Sequence, residues 1–80
     1  LVNRVMPQTE LESYVEEFTK QLKGNGPQSV RGAKQAVHDG LDQDLDSALA
    51  LETSLFALCF AGDEQKEGMA AFVEKRKANF

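Results

Sequence analysis

Apolar residues recur along most of the chain at spacings of three and four, so helices are the expected elements. Leu11, Tyr14, Val15, Phe18 and Leu22 share one side of a cylinder, opposite Glu12, Glu16, Glu17 and Lys20, which predicts a first amphipathic helix. Thr9 precedes Glu12 by three residues, the spacing of a capping box. Gly24 is placed to end the helix in the left-handed conformation. Ahead of it, residues 1–6 contain Val2 and Val5 and predict a short strand or extended lead-in that Pro7 stops.

Gly26-Pro27 opens a second helix, because proline costs nothing at a position whose N–H would have no partner. Val30, Ala33, Val37 and Leu41 line it. Gly32 and Gly40 weaken it, each by about 1 kcal/mol relative to alanine. His38 and Asp39 fall off the apolar line and are expected in solvent. Asp42, Asp44 and Asp46 precede a third helix, where a carboxylate can cap the first turn and meets the positive end of the helix dipole.

The third helix is the most apolar. Leu45, Ala48, Leu49, Glu52, Phe56, Cys59 and Phe60 share one face, and Leu51, Leu55 and Leu58 lie well round the cylinder. That is more apolar surface than one core-facing stripe. Either the other helices wrap this one, or part of it meets another subunit or domain. Asp63-Glu64 starts a fourth helix with acid at its positive end, and Met69, Phe72, Val73 and the stem of Arg76 are expected on one side. The chain then reaches Lys75, Arg76 and Lys77. The pattern as a whole predicts one all-α region over residues 1–80, a small bundle of about four helices with a short extended N-terminal lead-in. No internal repeat, low-complexity linker or second domain is visible.

Size and charge narrow the function classes. Eighty residues bury a modest fraction of their surface, so stability without a partner is expected to be marginal. The net charge of −4 and pI near 4.8 argue against nucleic acid, whose phosphates need a basic face. No apolar run approaches the roughly 20 residues of a membrane-spanning helix, and no signal segment opens the chain. The single Cys59 and single His38 cannot make a disulfide or a tetrahedral zinc site, so a reducing compartment is the default. The chain starts inside an apolar stretch without an initiator Met, and a piece of a longer protein is expected.

No nucleophile, carboxylate pair or glycine-rich phosphate loop has the support that catalysis needs. Glu52, set in an apolar face, is the acid best placed to be perturbed, although a hydrogen bond to a neighbouring helix accounts for it as well. Cys59 has no basic partner within a turn and is expected as a small core residue. The terminal cations have two readings. A helix C-terminus favours them by roughly 0.3 to 1 kcal/mol without any ligand. Phe72, three residues before Lys75, would also let a ring and an ammonium meet one flat, anionic ligand. Arg76 and Lys77 are expected in solvent.

The order of these segments resembles a known family. LVNRVMP at residues 1–7, GPQSVRGAKQAV at 26–37, LETSLFALCFAGDEQKEGM at 51–69 and AAFVEKRKANF at 70–80 look like the closing part of enoyl-CoA hydratase/isomerase (crotonase) proteins. The resemblance covers the whole chain, and its tail motif is the most specific piece. It implies the C-terminal helical trimerisation region of a crotonase-like fold, preceded in the parent by a spiral domain of ββα turns. It further implies an acyl-CoA substrate with no separate cofactor, and assembly as a trimer or a dimer of trimers. The expected location is the bacterial cytoplasm or, alternatively, the mitochondrial matrix. The oxyanion donors and the two glutamates of such hydratases belong to the upstream part, so no catalytic residue is expected here. Phe72 and Lys75 match the positions where family members contact the adenine and phosphate end of CoA. Phe56 and Phe60 are implied to line the acyl pocket or a subunit contact. A hydratase is favoured over an isomerase because the tail is most similar to that branch.

Two alternatives stay open at the level of sequence. An acyl carrier protein is also a short, acidic, helical chain, and Ser47 follows Asp46 at a helix start as its modified serine does. Ala48 stands where leucine would be expected, however, and the basic end has no place in that family. A free-standing helical interaction module is the blander option.

Overall fold

The computed structural model describes residues 1–80. Four helices follow one another: α1 (Gln8–Lys23), α2 (Pro27–Gly40), α3 (Leu45–Cys59) and α4 (Asp63–Val73). There is no strand, and residues 1–6 lead into α1 without regular structure, with a bend at Asn3. The all-α reading therefore holds, with four helices.

The helices do not close around a core. The molecule measures 42 × 40 × 15 Å, with a radius of gyration of 16.1 Å, against about 12 Å for a compact domain of this length. Its accessible surface is 7053 Å², where a folded monomer of 8.8 kDa exposes about 4,800 Å². Only Gly26 and Ala71 are buried, Ala71 at 3% exposure. The shape is a plate one to two helices thick. No single helix is long and apolar enough to cross a membrane.

α2 and α3 form the principal helix pair. On α2 the half-buried positions are Gln28, Val30, Gly32, Ala36 and Gly40, and on α3 they are Ala48, Leu51, Leu55 and Cys59. Small residues let the backbones approach: a Cβ built on Gly40 would lie 3.5 Å from the Ala48 Cβ. Of the expected line Val30, Ala33, Val37, Leu41, only Val30 is half-buried, and Val37 and Leu41 stand 67% and 82% exposed. Leu51 and Leu55 are turned partly inward, which leaves Leu45, Leu49, Phe56, Leu58 and Phe60 as the outward apolar surface of α3. α1 carries its stripe of Leu11, Val15, Phe18 and Leu22 with no helix laid over it.

Two expected caps are replaced by others. Pro7, held at φ −59°, is the N-cap of α1 without a side-chain bond, and its carbonyl accepts the Glu10 N–H at 2.9 Å. The helix therefore starts before Thr9, and the Thr9–Glu12 box does not form. Gly24 stays right-handed at φ −75°, because its N–H continues the helical bonding to Lys20 and Gln21 and Asn25 Nδ2 donates to the Gln21 carbonyl. At α3 the acidic cap is present. Asp44 accepts the Ser47 N–H at 3.0 Å and the Ser47 hydroxyl at 2.7 Å, and the hydroxyl first, then the amide, hold its carboxyl below the usual 3.8.

α3 and α4 meet at a bend of 74°, and this corner gathers three helix ends. Glu64, in the first turn of α4, accepts the Gln28 N–H at 2.8 and 3.0 Å and the Ser29 N–H at 3.3 Å. It thereby caps α2 from another element, and the orphan amides meet a carboxylate at the positive end of the helix. Gln28 Nε2 donates to the Leu58 carbonyl of α3. A Cβ on Gly26 or Gly62 would overlap the carboxylate of Glu64 or the amide of Gln28, so either side chain would have to shift out of its bonded place.

Candidate functional site

The residues expected to bear a ligand fall into two groups, one on α3 and one at the end of α4. On α3, Phe56 and Phe60 pack edge to face with ring centroids 5.2 Å apart, as the spacing of one turn allows. They remain 66% and 53% exposed, and nothing in the chain covers them. Phe56 lines an open groove of about 950 Å³ between α2 and α3, together with Val37, Leu41, Leu49, Glu52 and Cys59. Glu52 is exposed and makes no hydrogen bond to α2, contrary to the structural role expected for it. Cys59 is half-buried, its thiol directed at the Leu55 carbonyl.

The second group is built by the way α4 stops. The helix ends at Val73, short of the three cations, and no basic residue occupies its last turn. The Arg76 N–H bonds to the Ala71 carbonyl at 3.0 Å and the Lys75 N–H to the Phe72 carbonyl at 3.3 Å. That pair of bonds reverses the chain in a Schellman turn, with the residue after the cap left-handed. Here that residue is Lys75, at φ 53°, the only residue in the chain with positive φ. A side chain in this conformation costs roughly 1 kcal/mol or more relative to glycine. Phe72 is 81% exposed on the helix, and Lys75 leaves the helical face on which the two were expected to be neighbours. Both stay exposed, and no carboxylate pairs with Lys75.

Arg76, expected in solvent, is instead the anchor of the turn. Its guanidinium forks onto Glu67, with Nη1 2.6 Å from Oε1 and Nη2 3.0 Å from Oε2, and Nε bonds to Glu74. Glu67 also accepts the Asn79 N–H at 2.7 Å. The Arg76 hydrogen bonds first, and the Asn79 amide after them, hold the Glu67 carboxyl at about 2 against an ordinary 4.5; Glu67 and then Glu74 raise Arg76 in turn. The tail is folded back so that the Phe80 ring lies 3.7 Å from where a Cβ on Gly68 would sit. Helical periodicity does not link Glu67 to Arg76, because the link passes through a reversal. Gly68, a glycine inside a helix beside a tail aromatic, was the available signal of a close approach.

The four-helix plate has counterparts among known proteins. Residues 1–80, the whole chain, match the family model for enoyl-CoA hydratase/isomerase. The chain belongs to the enoyl-CoA hydratase/isomerase family. It is 45% identical over 80 residues to a crotonyl-CoA hydratase of Syntrophomonas wolfei, covering 100% of this chain and 31% of that protein. A short-chain-enoyl-CoA hydratase of Clostridium acetobutylicum is 42% identical over 77 residues, 96% of this chain and 30% of its own. The crystal structure of an enoyl-CoA hydratase/isomerase from Mycobacterium paratuberculosis superposes with a TM-score of 0.92 at 28% identity, over 99% of this chain and 31% of that one. The chain thus spans about a third of the length of the relatives it matches. Membership over residues 1–80 also removes the acyl carrier alternative, and the Ser47 hydroxyl on which it rested is bonded to Asp44.

Proposed function

We propose that the chain is the C-terminal assembly and CoA-contacting part of an enoyl-CoA hydratase, a parent enzyme that adds water across the double bond of a 2-enoyl-CoA. The single observation that carries this is the match of the full chain to about a third of proteins named as hydratases of that substrate class. The open plate agrees with it: about 2,000 Å² more surface than a compact chain exposes is the size of a substantial interface. In this reading the apolar faces of α1 and α3 meet the remainder of the enzyme and neighbouring subunits in a trimer or a dimer of trimers. Phe56 and Phe60 line the acyl pocket or a subunit contact. Phe72 and Lys75 meet the nucleotide end of CoA, the ring stacking on a flat base and the ammonium facing phosphate. This chain supplies assembly and grip, and the upstream part supplies the chemistry. The location that goes with this reading is the bacterial cytoplasm, with the mitochondrial matrix as the alternative.

The test uses the full-length protein and hydration of crotonyl-CoA, followed by loss of the enoyl thioester absorbance. Lys75→Ala is expected to raise KM several-fold, more at low salt than at high, with kcat within about twofold. Absence of hydration by the wild-type enzyme would overturn the hydratase reading. An unchanged KM in the variant would overturn the CoA contact alone.

A further inference from the structure

The geometry points to Glu67 and Arg76 as positioning residues that hold the Lys75 ammonium ready for an anionic ligand, so that the grip on the ligand's phosphate end depends on an ion pair that never touches it. This inference rests on the reading of Lys75 as a contact to the CoA nucleotide.

Three observations converge. Lys75 is the only left-handed residue in the chain and is not glycine, so its conformation has to be imposed by what flanks it. On its C-terminal side, Arg76 is pinned by two bonds to Glu67 and a third to Glu74. Glu67 also takes the Asn79 N–H, so one carboxylate fixes the chain at two points beyond Lys75. On its N-terminal side, the last turn of α4 holds the Lys75 N–H through the Phe72 carbonyl. The backbone of Lys75 is therefore clamped from both directions, while its side chain is exposed and carries no ion pair. A fork of two parallel bonds fixes an angle as well as a distance, which lysine in place of arginine cannot do. The arrangement also neutralises Arg76 locally, which leaves Lys75 and Lys77 as the unpaired cations of the tail.

The measurement is the KM of the full-length enzyme for crotonyl-CoA, compared with crotonyl-pantetheine, which has the thioester but no nucleotide or phosphate. Glu67→Gln and Arg76→Lys are each expected to raise KM for the CoA thioester by about three- to tenfold, with kcat within about twofold and the pantetheine thioester unaffected. Combined with Lys75→Ala, neither is expected to add more than about twofold, because all act through one contact. Arg76→Lys keeps the tail's charge and guards against an electrostatic explanation. If Lys75→Ala discriminates between the two substrates while Glu67→Gln and Arg76→Lys do not, the positioning role is overturned and the CoA contact stands. Equal losses on both substrates, or a full multiplicative loss in the double variants, overturn it as well, assigning the clasp to general stability. If Lys75→Ala itself is silent, the contact reading fails and the positioning role falls with it.

Discussion

The Glu64 carboxylate reaches out of α4 to cap α2, taking the Gln28 N–H at 2.8 Å, thirty-six residues back along the chain. In a plate with almost no buried core, such a contact ties elements together where packing does not. Gly26 is buried against the same carboxylate.

Loss of that cap is the first prediction. Glu64→Ala is expected to destabilise the protein by about 1 to 2 kcal/mol, the usual cost of removing a capping side chain. Gly26→Ala is expected to destabilise the wild type, since its methyl group would displace the carboxylate, but to cost much less once Glu64 is gone. Urea denaturation of the two single variants and the double variant measures this. Additive losses would mean that Gly26 is constrained by something other than Glu64.

The tail clasp gives a pH dependence with a definite sign. The Glu67 carboxyl is lowered in the folded protein, from 4.5 to about 2. Its contribution is therefore fully present above pH 4.5 and is lost as the pH falls from there through about 2. At neutral pH the clasp is closed and insensitive to pH. The Asn79 amide resonance, followed by NMR, is expected to hold its bonded position down to about pH 4 and to move only below it. A midpoint at the ordinary carboxylate value would mean that Glu67 is not held by Arg76.

The apolar face of α3 is expected to drive self-association of the isolated chain. Leu49 and Phe56 are 50% and 66% exposed beside the α2–α3 groove, and contiguous surface of this kind marks a contact site. Sedimentation velocity should detect concentration-dependent oligomers that Leu49→Asp and Phe56→Asp weaken. A monomer at high concentration, unaltered by either change, would remove this face as an interface.

Much of the fold was legible because helix periods and the Gly26-Pro27 start are local signals. The Asp44 cap was legible for the same reason, as its partner Ser47 is three residues away. The surplus of apolar residues on α3 raised two readings, wrapping by the other helices or a contact beyond them, and the structure leaves much of that face exposed. What escaped were contacts whose partners are distant or reached through a reversal. Glu64 appeared as a dipole-matched acid and caps a different helix. Arg76 appeared solvated and is bonded to Glu67. The Thr9–Glu12 pattern was overridden by Pro7, one competing start signal two residues upstream. Of the candidate site, Phe72 and Lys75 were singled out by their place in the tail motif, and both stand exposed. Their geometry was not foreseen, because a left-handed lysine has no signature in periodicity.

The central claim is that this plate is an interface, covered in the full-length enzyme. Cys59 reports on it directly, since the thiol is half-buried at the α2–α3 groove. Alkylation of the native full-length enzyme with iodoacetamide, mapped to Cys59 by mass spectrometry, is expected to run at least about a hundredfold slower than for the same protein in denaturant. A native rate within a few-fold of the denatured one would mean that the groove stands open in the assembled enzyme, contradicting the account.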